Sequence, residues 1–184
     1  MENICFVVNK YPNEFEPYML VFLQQLAWEF ADMGKKVTVI CPLPVNLNRK
    51  YLQIPYHTRE YTEKKKSIDI YWPKTAGLGQ SHYVLGRSPV GITTFFLEKA
   101  AERVIRSFTE KPDVIYGHFM APSGIAVARL SDTFKIPAFF ALGESHNTIE
   151  QFGAERAKEE LKDIAGVIAV STYLKRWIVD AGVL

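Results

Sequence analysis

Apolar residues recur along the chain with two different periods, and together they predict strands that alternate with helices. Short apolar runs without polar alternation indicate strands that are buried on both faces of a sheet. Longer segments carry apolar residues at helical spacing, as Leu20, Leu23, Ala27 and Phe30 do in the first of them, which indicates amphipathic helices. The predicted strands are residues 4–8, 37–41, 67–72, 114–116, 138–142 and 167–170, and the predicted helices are residues 17–33, 92–110, 123–133, 154–163 and 172–181.

The alternation predicts an α/β fold, a doubly wound, mostly parallel Rossmann-like sheet with helices on both faces. Gly34 ends the first helix and leaves a short turn before the second strand, which favours a right-handed crossover between parallel strands. A chain of 184 residues suffices for one such domain, so we expect residues 1–184 to form a single unit. Residues 42–91 interrupt the pattern with repeated prolines, and we interpret them as long loops around one strand.

Composition and charge exclude several classes of protein. Hydrophobic residues make up 48% of the chain and charged residues 23%, and the net charge of +2 gives no reason to expect a nucleic-acid partner. Cys5 and Cys41 lie in apolar runs without paired spacing, which predicts buried thiols in a reducing compartment and neither a disulfide nor a metal site. With no signal-peptide pattern and no apolar run of transmembrane length, we expect a cytoplasmic protein.

The loop after the first strand, residues 9–17, argues against a dinucleotide cofactor. Dinucleotide-binding folds place glycines there, so that backbone N–H groups can approach a pyrophosphate at the helix N-terminus. This loop contains no glycine, and we expect Glu14 and Glu16 to occupy the positive end of the helix dipole and to repel a phosphate. The pattern therefore disfavours one half of a nicotinamide-dependent oxidoreductase, and we expect no cofactor.

Ligands of doubly wound sheets bind beyond the carboxyl ends of the strands, so the loops that leave the strands hold the candidate site residues. His118 follows the predicted strand 114–116 beside Gly117 and would face this crevice. A catalytic and a structural role are about equally consistent with its position.

Two further loops offer polar groups at the same edge of the sheet. Gly143 would let a ligand approach the backbone, and Glu144 and Ser145 carry groups that can bind hydroxyls. Helix capping is the favoured alternative for Ser145 and is less favoured for Glu144. Ser171 follows the last strand, and its simplest role is to cap the final helix.

The strands and the turns that follow them form five ordered segments, residues 4–12, 26–42, 113–118, 136–145 and 166–175. In this order they resemble the amino-terminal domain of family 4 glycosyltransferases. The resemblance covers nearly the whole chain and is weakest between residues 44 and 88. Many members of that family begin the loop after the fifth strand with His-Gly, where this chain has Gly143-Glu144.

The resemblance implies one half of a two-domain enzyme with the GT-B fold. Such enzymes transfer a sugar from a nucleotide-diphosphate sugar with retention of configuration, usually without a metal. The amino-terminal half mainly binds the acceptor, and the carboxy-terminal half, which these 184 residues do not include, holds the donor. We therefore expect this chain alone to be inactive. By the resemblance, the candidate catalytic residue is His118 and the candidate acceptor-binding residues are Tyr11, Glu14, Glu16, Gly143, Glu144, Ser145 and Ser171.

The partners implied by the resemblance are the donor-binding domain and a sugar or lipid-linked acceptor. Lysines 64–66, Trp72 and Tyr83 in the long loops could make a weak peripheral contact with the inner face of a membrane, although ordinary solvated loops explain them better. A stand-alone module that binds a sugar or nucleotide without chemistry is the alternative function. Gly182, near the end of the chain, indicates the cap of a helix that would lead into the further domain.

Overall fold

A central sheet of seven strands carries helices on both of its faces. The computed structural model describes residues 1–78, 88–143 and 152–183. The strands are β1 (Asn3–Val7), β2 (Lys36–Ile40), β3 (Leu43–Pro44), β4 (His57–Tyr61), β5 (Ser67–Tyr71), β6 (Lys74–Thr75), β7 (Val114–His118), β8 (Ala138–Leu142) and β9 (Gly166–Ala169). The helices are α1 (Val21–Asp32), α2 (Val90–Ser107), α3 (Ile125–Phe134), α4 (Ala154–Leu161) and α5 (Thr172–Asp180).

The strand order of the sheet is β4-β5-β2-β1-β7-β8-β9, and every strand except β4 runs parallel to its neighbours. The winding reverses between β1 and β7, which pair directly although they are far apart in sequence. The short strands β3 and β6 pair with each other beyond the ends of β2 and β5. The predicted doubly wound α/β sheet is therefore confirmed, and its switch point lies between β1 and β7.

Each face of the sheet has its own apolar core, because successive residues of a strand point to opposite faces. Phe6 of β1 packs on one face with Leu23 and Ala27 of α1. Cys5 of β1 packs on the other face with residues of α2, α3, α4 and α5, among them Ile178. Both cysteines are free and buried, as their apolar surroundings predict. Within the described residues, none of the helices combines the length and the apolar character needed to cross a bilayer.

Helix α1 begins at Val21 and not at Pro17, where the sequence predicts its start. Leu20 adopts the left-handed conformation, with a φ of 52°, immediately before the helix. Upstream, Oδ1 of Asn13 accepts hydrogen bonds from the backbone N–H groups of Phe15 and Glu16 at 3.0 and 3.1 Å. This turn ends before Pro17, and the left-handed Leu20 interrupts the helical backbone between Pro17 and Val21. The preference of proline for the first helical position therefore does not decide the boundary.

The long-loop region contains a second full strand, which its sequence did not reveal. Strand β4 pairs antiparallel with β5 at the edge of the sheet. Its residues are mostly polar, and half-buried Thr58 and Glu60 alternate with exposed neighbours. Charged and polar residues are typical of exposed edge strands, which explains why an apolar pattern missed this one.

Candidate functional site

The loops that leave β1 and β7 lie side by side at the switch point. Asn9 follows β1, and Ser123 lies in the turn that follows β7. The Oγ atom of Ser123 lies 3.5 Å from Oδ1 of Asn9, and Ser123 is fully buried. This contact ties the two loops together, so a ligand at the switch point would meet both of them.

His118 is the last residue of β7, and its imidazole is buried in an aromatic environment. Its Nδ1 atom lies 3.0 Å from the hydroxyl oxygen of Tyr116. The rings of Phe22 in α1 and of Phe119 contact the imidazole at centroid distances of 4.8 and 4.5 Å. Burial lowers the pKa of His118 to about 4, so the side chain is neutral at neutral pH and suited to hydrogen bonding.

Gly143 follows β8 and lies exposed beside His118. A Cβ atom built on Gly143 would stand 3.6 Å from Nε2 of His118 and 3.7 Å from side-chain atoms of Phe119 and Val170. The ends of β7, β8 and β9 therefore meet around one small space, in which a methyl group on Gly143 would make ordinary van der Waals contacts. The structure thus brings His118 and Gly143 together. The other two candidates from this loop, Glu144 and Ser145, lie outside the described residues.

The backbone after His118 is held in an unusual conformation. Phe119 has a φ of 68° and a ψ of 152°, which is strained for a residue with a side chain and costs about 1–3 kcal/mol. Its N–H donates to the Ala141 carbonyl at 2.8 Å, and its own carbonyl accepts from the N–H of Gly124 at 2.9 Å. A Cβ atom on Gly124 would stand 2.8 Å from that carbonyl oxygen. Only glycine fits there, and the tight turn fixes the position of His118.

A cavity of about 390 Å³ opens beside the switch point, beyond the carboxyl ends of β1, β2 and β5. Its volume is within the range of roughly 300–1,000 Å³ that small-molecule sites occupy. The wall is mainly apolar, with amide, ammonium and hydroxyl groups at a few points. The residues that line it are Asn9, Lys10, Pro42, Pro44, Leu47, Asn48, Tyr51, Thr75, Ala76, Gly77, Thr93 and Leu97.

Lys10 and Tyr51, which line this cavity, form a hydrogen-bonded group with the side chain of Glu16. The Nζ atom of Lys10 donates to both carboxylate oxygens of Glu16 and to the Tyr51 hydroxyl, each at 3.1 Å. The Tyr51 hydroxyl in turn donates to Glu16 at 2.7 Å. Burial opposes both charges, but the hydrogen bonds to Tyr51 and between the partners prevail, so the pKa of Lys10 is raised and that of Glu16 is lowered. Lys10 and Glu16 therefore form an ion pair, and the Tyr51 hydroxyl binds both partners.

Glu16 thus has a different role from the one its sequence position predicts. No acidic residue lies in the first turn of α1, so neither Glu14 nor Glu16 complements the helix dipole. Glu16 forms an ion pair with Lys10, which compensates its negative charge. The expected repulsion of a phosphate by this carboxylate is therefore not supported. Glu14 is exposed in the same turn. The late start of α1 is the physical reason for this correction.

Tyr11, expected to face the cleft, lies instead in the core with no exposed surface. Its hydroxyl donates to Oε1 of Glu60 at 2.5 Å. The same carboxylate accepts from Nε1 of Trp28 at 3.0 Å and from Nε2 of Gln24 at 2.9 Å. Tyr11 therefore anchors the loop after β1 to α1 and to the edge strand β4.

Ser171 precedes α5, and its side chain caps that helix. Its Oγ atom accepts a hydrogen bond from the N–H of Leu174 at 3.2 Å, while its own backbone is extended. The capping role favoured by the sequence is confirmed. A contact of Ser171 with substrate stays a prediction.

Of the residues singled out for membrane contact, lysines 64–66 are exposed and Trp72 is not. Trp72 is buried, and its Nε1 atom donates to Oγ1 of Thr58 at 2.7 Å. Lys64 forms an ion pair with Asp32 at 3.5 Å, and Tyr83 lies outside the described residues. In the three described ranges, no group of three or more His, Cys, Asp or Glu residues is placed to hold a metal ion.

Sequence reasoning missed four residues of this region, Lys10, Phe22, Tyr51 and Tyr116. Tyr116 had a usable signal, because residues two apart in a strand share a face and Tyr116 must therefore lie beside His118. Lys10 and Tyr51 meet only through the folding of the long loops, and no local pattern indicates that contact.

No protein-family model matches the chain. The "Putative teichuronic acid biosynthesis glycosyltransferase TuaC" of Bacillus subtilis (strain 168) is 27% identical to it over 185 aligned positions. The match covers 94% of this chain and 45% of TuaC, so the chain spans less than half the length of this curated relative. The similarity to a glycosyltransferase therefore extends over almost the whole chain.

Solved structures of two glycosyltransferases are among those that share its fold. CalG4, the calicheamicin glycosyltransferase, has a TM-score of 0.50 at 12% identity, and the match covers 97% of this chain and 41% of CalG4. UGT89C1 of Arabidopsis thaliana, complexed with UDP, has a TM-score of 0.50 at 14% identity, with coverage of 97% and 48%. Identities this low establish the fold alone. The α/β sheet of this chain corresponds to less than half of each of these GT-B glycosyltransferases, as expected for one half of such a fold.

Proposed function

We propose that this chain is the acceptor-binding, amino-terminal half of a retaining family 4 glycosyltransferase, which transfers a sugar from a nucleotide-diphosphate sugar to a glycan, lipid or small-molecule acceptor. The observation that carries the proposal is the 27% identity to TuaC along 94% of the chain. The fold shared with CalG4 supports it. Because the match covers 45% of TuaC, the remaining length of such an enzyme would supply the donor-binding domain.

The acceptor is proposed to bind at the switch point, between the cavity and the open space beside Gly143. The mainly apolar wall of the cavity supports this, because such a wall can hold the apolar face of a sugar ring or an acyl chain. Asn9 and Asn48 add amides that can bind hydroxyl groups. Lys10 and Glu16 are paired with each other, so the acceptor half offers shape and hydroxyl partners rather than an unpaired charge.

The donor is proposed to bind mainly to the second domain. Its diphosphate leaving group needs cationic, preorganised stabilisation. Lys10, a cation in the loop that leaves β1 at the switch point, is already held by the carboxylate of Glu16. We propose no cofactor and no nucleic-acid partner for this half, and closure of the two domains would exclude water from the bound acceptor.

The protein is further proposed to be cytoplasmic, with a weak contact to the inner face of a membrane. Leu47 and Leu52 are exposed in a turn at the rim of the cavity, together with the exposed Arg49 and Lys50. No acidic residue occurs between positions 42 and 59, so the turn suits an anionic lipid surface. Co-sedimentation with phosphatidylglycerol vesicles but not with phosphatidylcholine vesicles would support this contact, and equal binding to both would contradict it.

Expression of the complete reading frame tests the proposed function. The purified full-length protein and the 184-residue chain are each incubated with a panel of nucleotide sugars and saccharide acceptors, and release of the nucleoside diphosphate is measured. We expect turnover by the full-length protein and none by the 184-residue chain. Turnover by the short chain would contradict its assignment as an acceptor-binding half. A reading frame that stops after Leu184, with binding of a sugar or nucleotide but no turnover, would favour the stand-alone module instead.

A further inference from the structure

Tyr116 and His118 form a buried hydrogen-bonded pair within one strand. They are two residues apart in β7, so their side chains point to the same face of the sheet. The Tyr116 hydroxyl oxygen lies 3.0 Å from Nδ1 of His118, and both side chains are buried.

The direction of this hydrogen bond decides which nitrogen of His118 carries the proton. If the Tyr116 hydroxyl donates, Nδ1 is the acceptor and the proton of the neutral ring lies on Nε2. If Nδ1–H donates instead, the phenolic proton needs a second acceptor. Among the residues that the structure describes, Nδ1 of His118 is the hydrogen-bond partner of this hydroxyl, and no second acceptor is present. A buried hydroxyl without an acceptor is costly, so the first arrangement is favoured.

We propose that Tyr116 is a positioning residue that fixes His118 as the neutral tautomer with its proton on Nε2, so that His118 donates a hydrogen bond to an oxygen atom of the bound ligand. The role of Tyr116 in setting the tautomer stands on the geometry of β7 alone. The donation to a ligand rests on the proposed function.

The surroundings of Nε2 fit a hydrogen-bond donor that meets a ligand. Nε2 is the nitrogen that faces Gly143, and the missing side chain at that position leaves room beside it. The pKa of His118, lowered to about 4 by burial, keeps the ring neutral at neutral pH. A nitrogen that already carries a proton cannot accept another one, so His118 would act at Nε2 as a donor and not as a general base. The matching ligand atom is a hydroxyl, carboxylate or phosphate oxygen.

The tautomer can be measured in the 184-residue chain without any nucleotide sugar. Two-bond ¹H–¹⁵N correlation spectra of histidine-labelled protein at pH 7 distinguish the two nitrogens of each neutral ring. We expect the wild-type His118 to show a protonated Nε2 and an unprotonated Nδ1. The variant Tyr116→Phe removes the donor and should give a mixture of both tautomers. Tyr71→Phe removes a phenolic hydroxyl beside His57, at the β4 edge of the sheet, and should leave His118 unchanged.

Either of two results would overturn the proposal, a protonated Nδ1 in the wild-type chain or an unchanged Nε2 tautomer in folded Tyr116→Phe. Should that variant not fold, incorporation of fluorotyrosine replaces it. The more acidic phenol donates a stronger hydrogen bond and should shift the Nδ1 resonance of His118, whereas an unmoved resonance would count against Tyr116 as the donor.

The donation to a ligand has its own readout in the full-length enzyme. Tyr116→Phe should raise the KM for the substrate that His118 contacts. The pH dependence of turnover should show no additional change at high pH relative to the wild type. Absence of transferase activity in the full-length protein would contradict the proposed function and leave the tautomer assignment intact. Failure of the proposed function can therefore be distinguished from failure of the tautomer assignment.

Discussion

The Nε2 atom of His118 lies 3.6 Å from the point at which a Cβ atom on Gly143 would stand. A donor nitrogen thus borders a space that exists because one residue has no side chain. Side-chain atoms of Phe119 and Val170 each lie 3.7 Å from the same point. The ends of three parallel strands therefore leave a gap of about one small group next to a buried, neutral imidazole.

Filling that gap should affect ligand binding more than folding. The variant Gly143→Ala places a methyl group at ordinary van der Waals distance from His118, so we expect a folded protein with an increased KM for the acceptor. The matched variant Gly124→Ala would bring its Cβ to 2.8 Å from the Phe119 carbonyl oxygen and should destabilise the domain by about 1–3 kcal/mol. Urea unfolding of both variants measures the difference. Equal losses of stability would show that the space beside His118 is not open.

Removal of the imidazole should slow the reaction of the full-length enzyme. For His118→Ala we expect turnover to fall about tenfold or more, which corresponds to about 1.4 kcal/mol of barrier. His57→Ala, at the exposed edge strand β4, is the control and should keep normal turnover. Steady-state rates at saturating donor and acceptor provide the measurement. An unchanged rate for His118→Ala would make His118 a structural residue.

Burial of His118 should make the stability of the domain dependent on pH. Burial lowers the pKa of His118 from 6.5 to about 4, so the unfolded chain binds a proton more readily than the folded one between these values. The stability that the neutral ring contributes is complete above pH 6.5 and is lost as the pH falls toward 4. Urea unfolding across this range should show a steeper loss for the wild type than for His118→Asn. Parallel curves would argue that the imidazole is hydrated in the folded state.

The cavity beside the switch point should limit which acceptors bind. Ala76 is exposed and lines the cavity, so Ala76→Trp adds bulk at its mouth without disturbing the core. We expect an increased KM for the acceptor in the full-length enzyme and little change in KM for the donor. Ala165→Trp, at an exposed position before β9, is the control. If both variants have wild-type constants, the acceptor binds elsewhere.

The parts of the fold that the sequence predicted are those specified by local patterns. Apolar runs identified β1, β2, β7 and β8 because strands buried on both faces need apolar residues at every position. The polar strand β4 escaped detection, since it is defined by its pairing with β5 and not by its own composition. The start of α1 was misplaced because Leu20 adopts the left-handed conformation between Pro17 and Val21, which no local sequence pattern indicates.

The candidate site was predictable in its location and less so in its contacts. The rule for doubly wound sheets placed His118 and Gly143 at the same edge, and the structure brings them together. The pair of Glu16 and Lys10 also binds the hydroxyl of Tyr51, which lies far along the chain. Local charge patterns cannot reveal such a group, because they report which residues are polar and not which partners they meet.

The carboxylate of Glu60 restricts how this domain can be recombined with its relatives. It accepts hydrogen bonds from Tyr11, Gln24 and Trp28, which belong to the first loop and the first helix. A chimera that replaces β4 with a segment lacking an acceptor at position 60 would leave the fully buried Tyr11 hydroxyl without its partner. A chimera in this region therefore has to take Glu60 from the same parent as Tyr11, Gln24 and Trp28. Strand β4 must then come from the same protein as the first loop and α1.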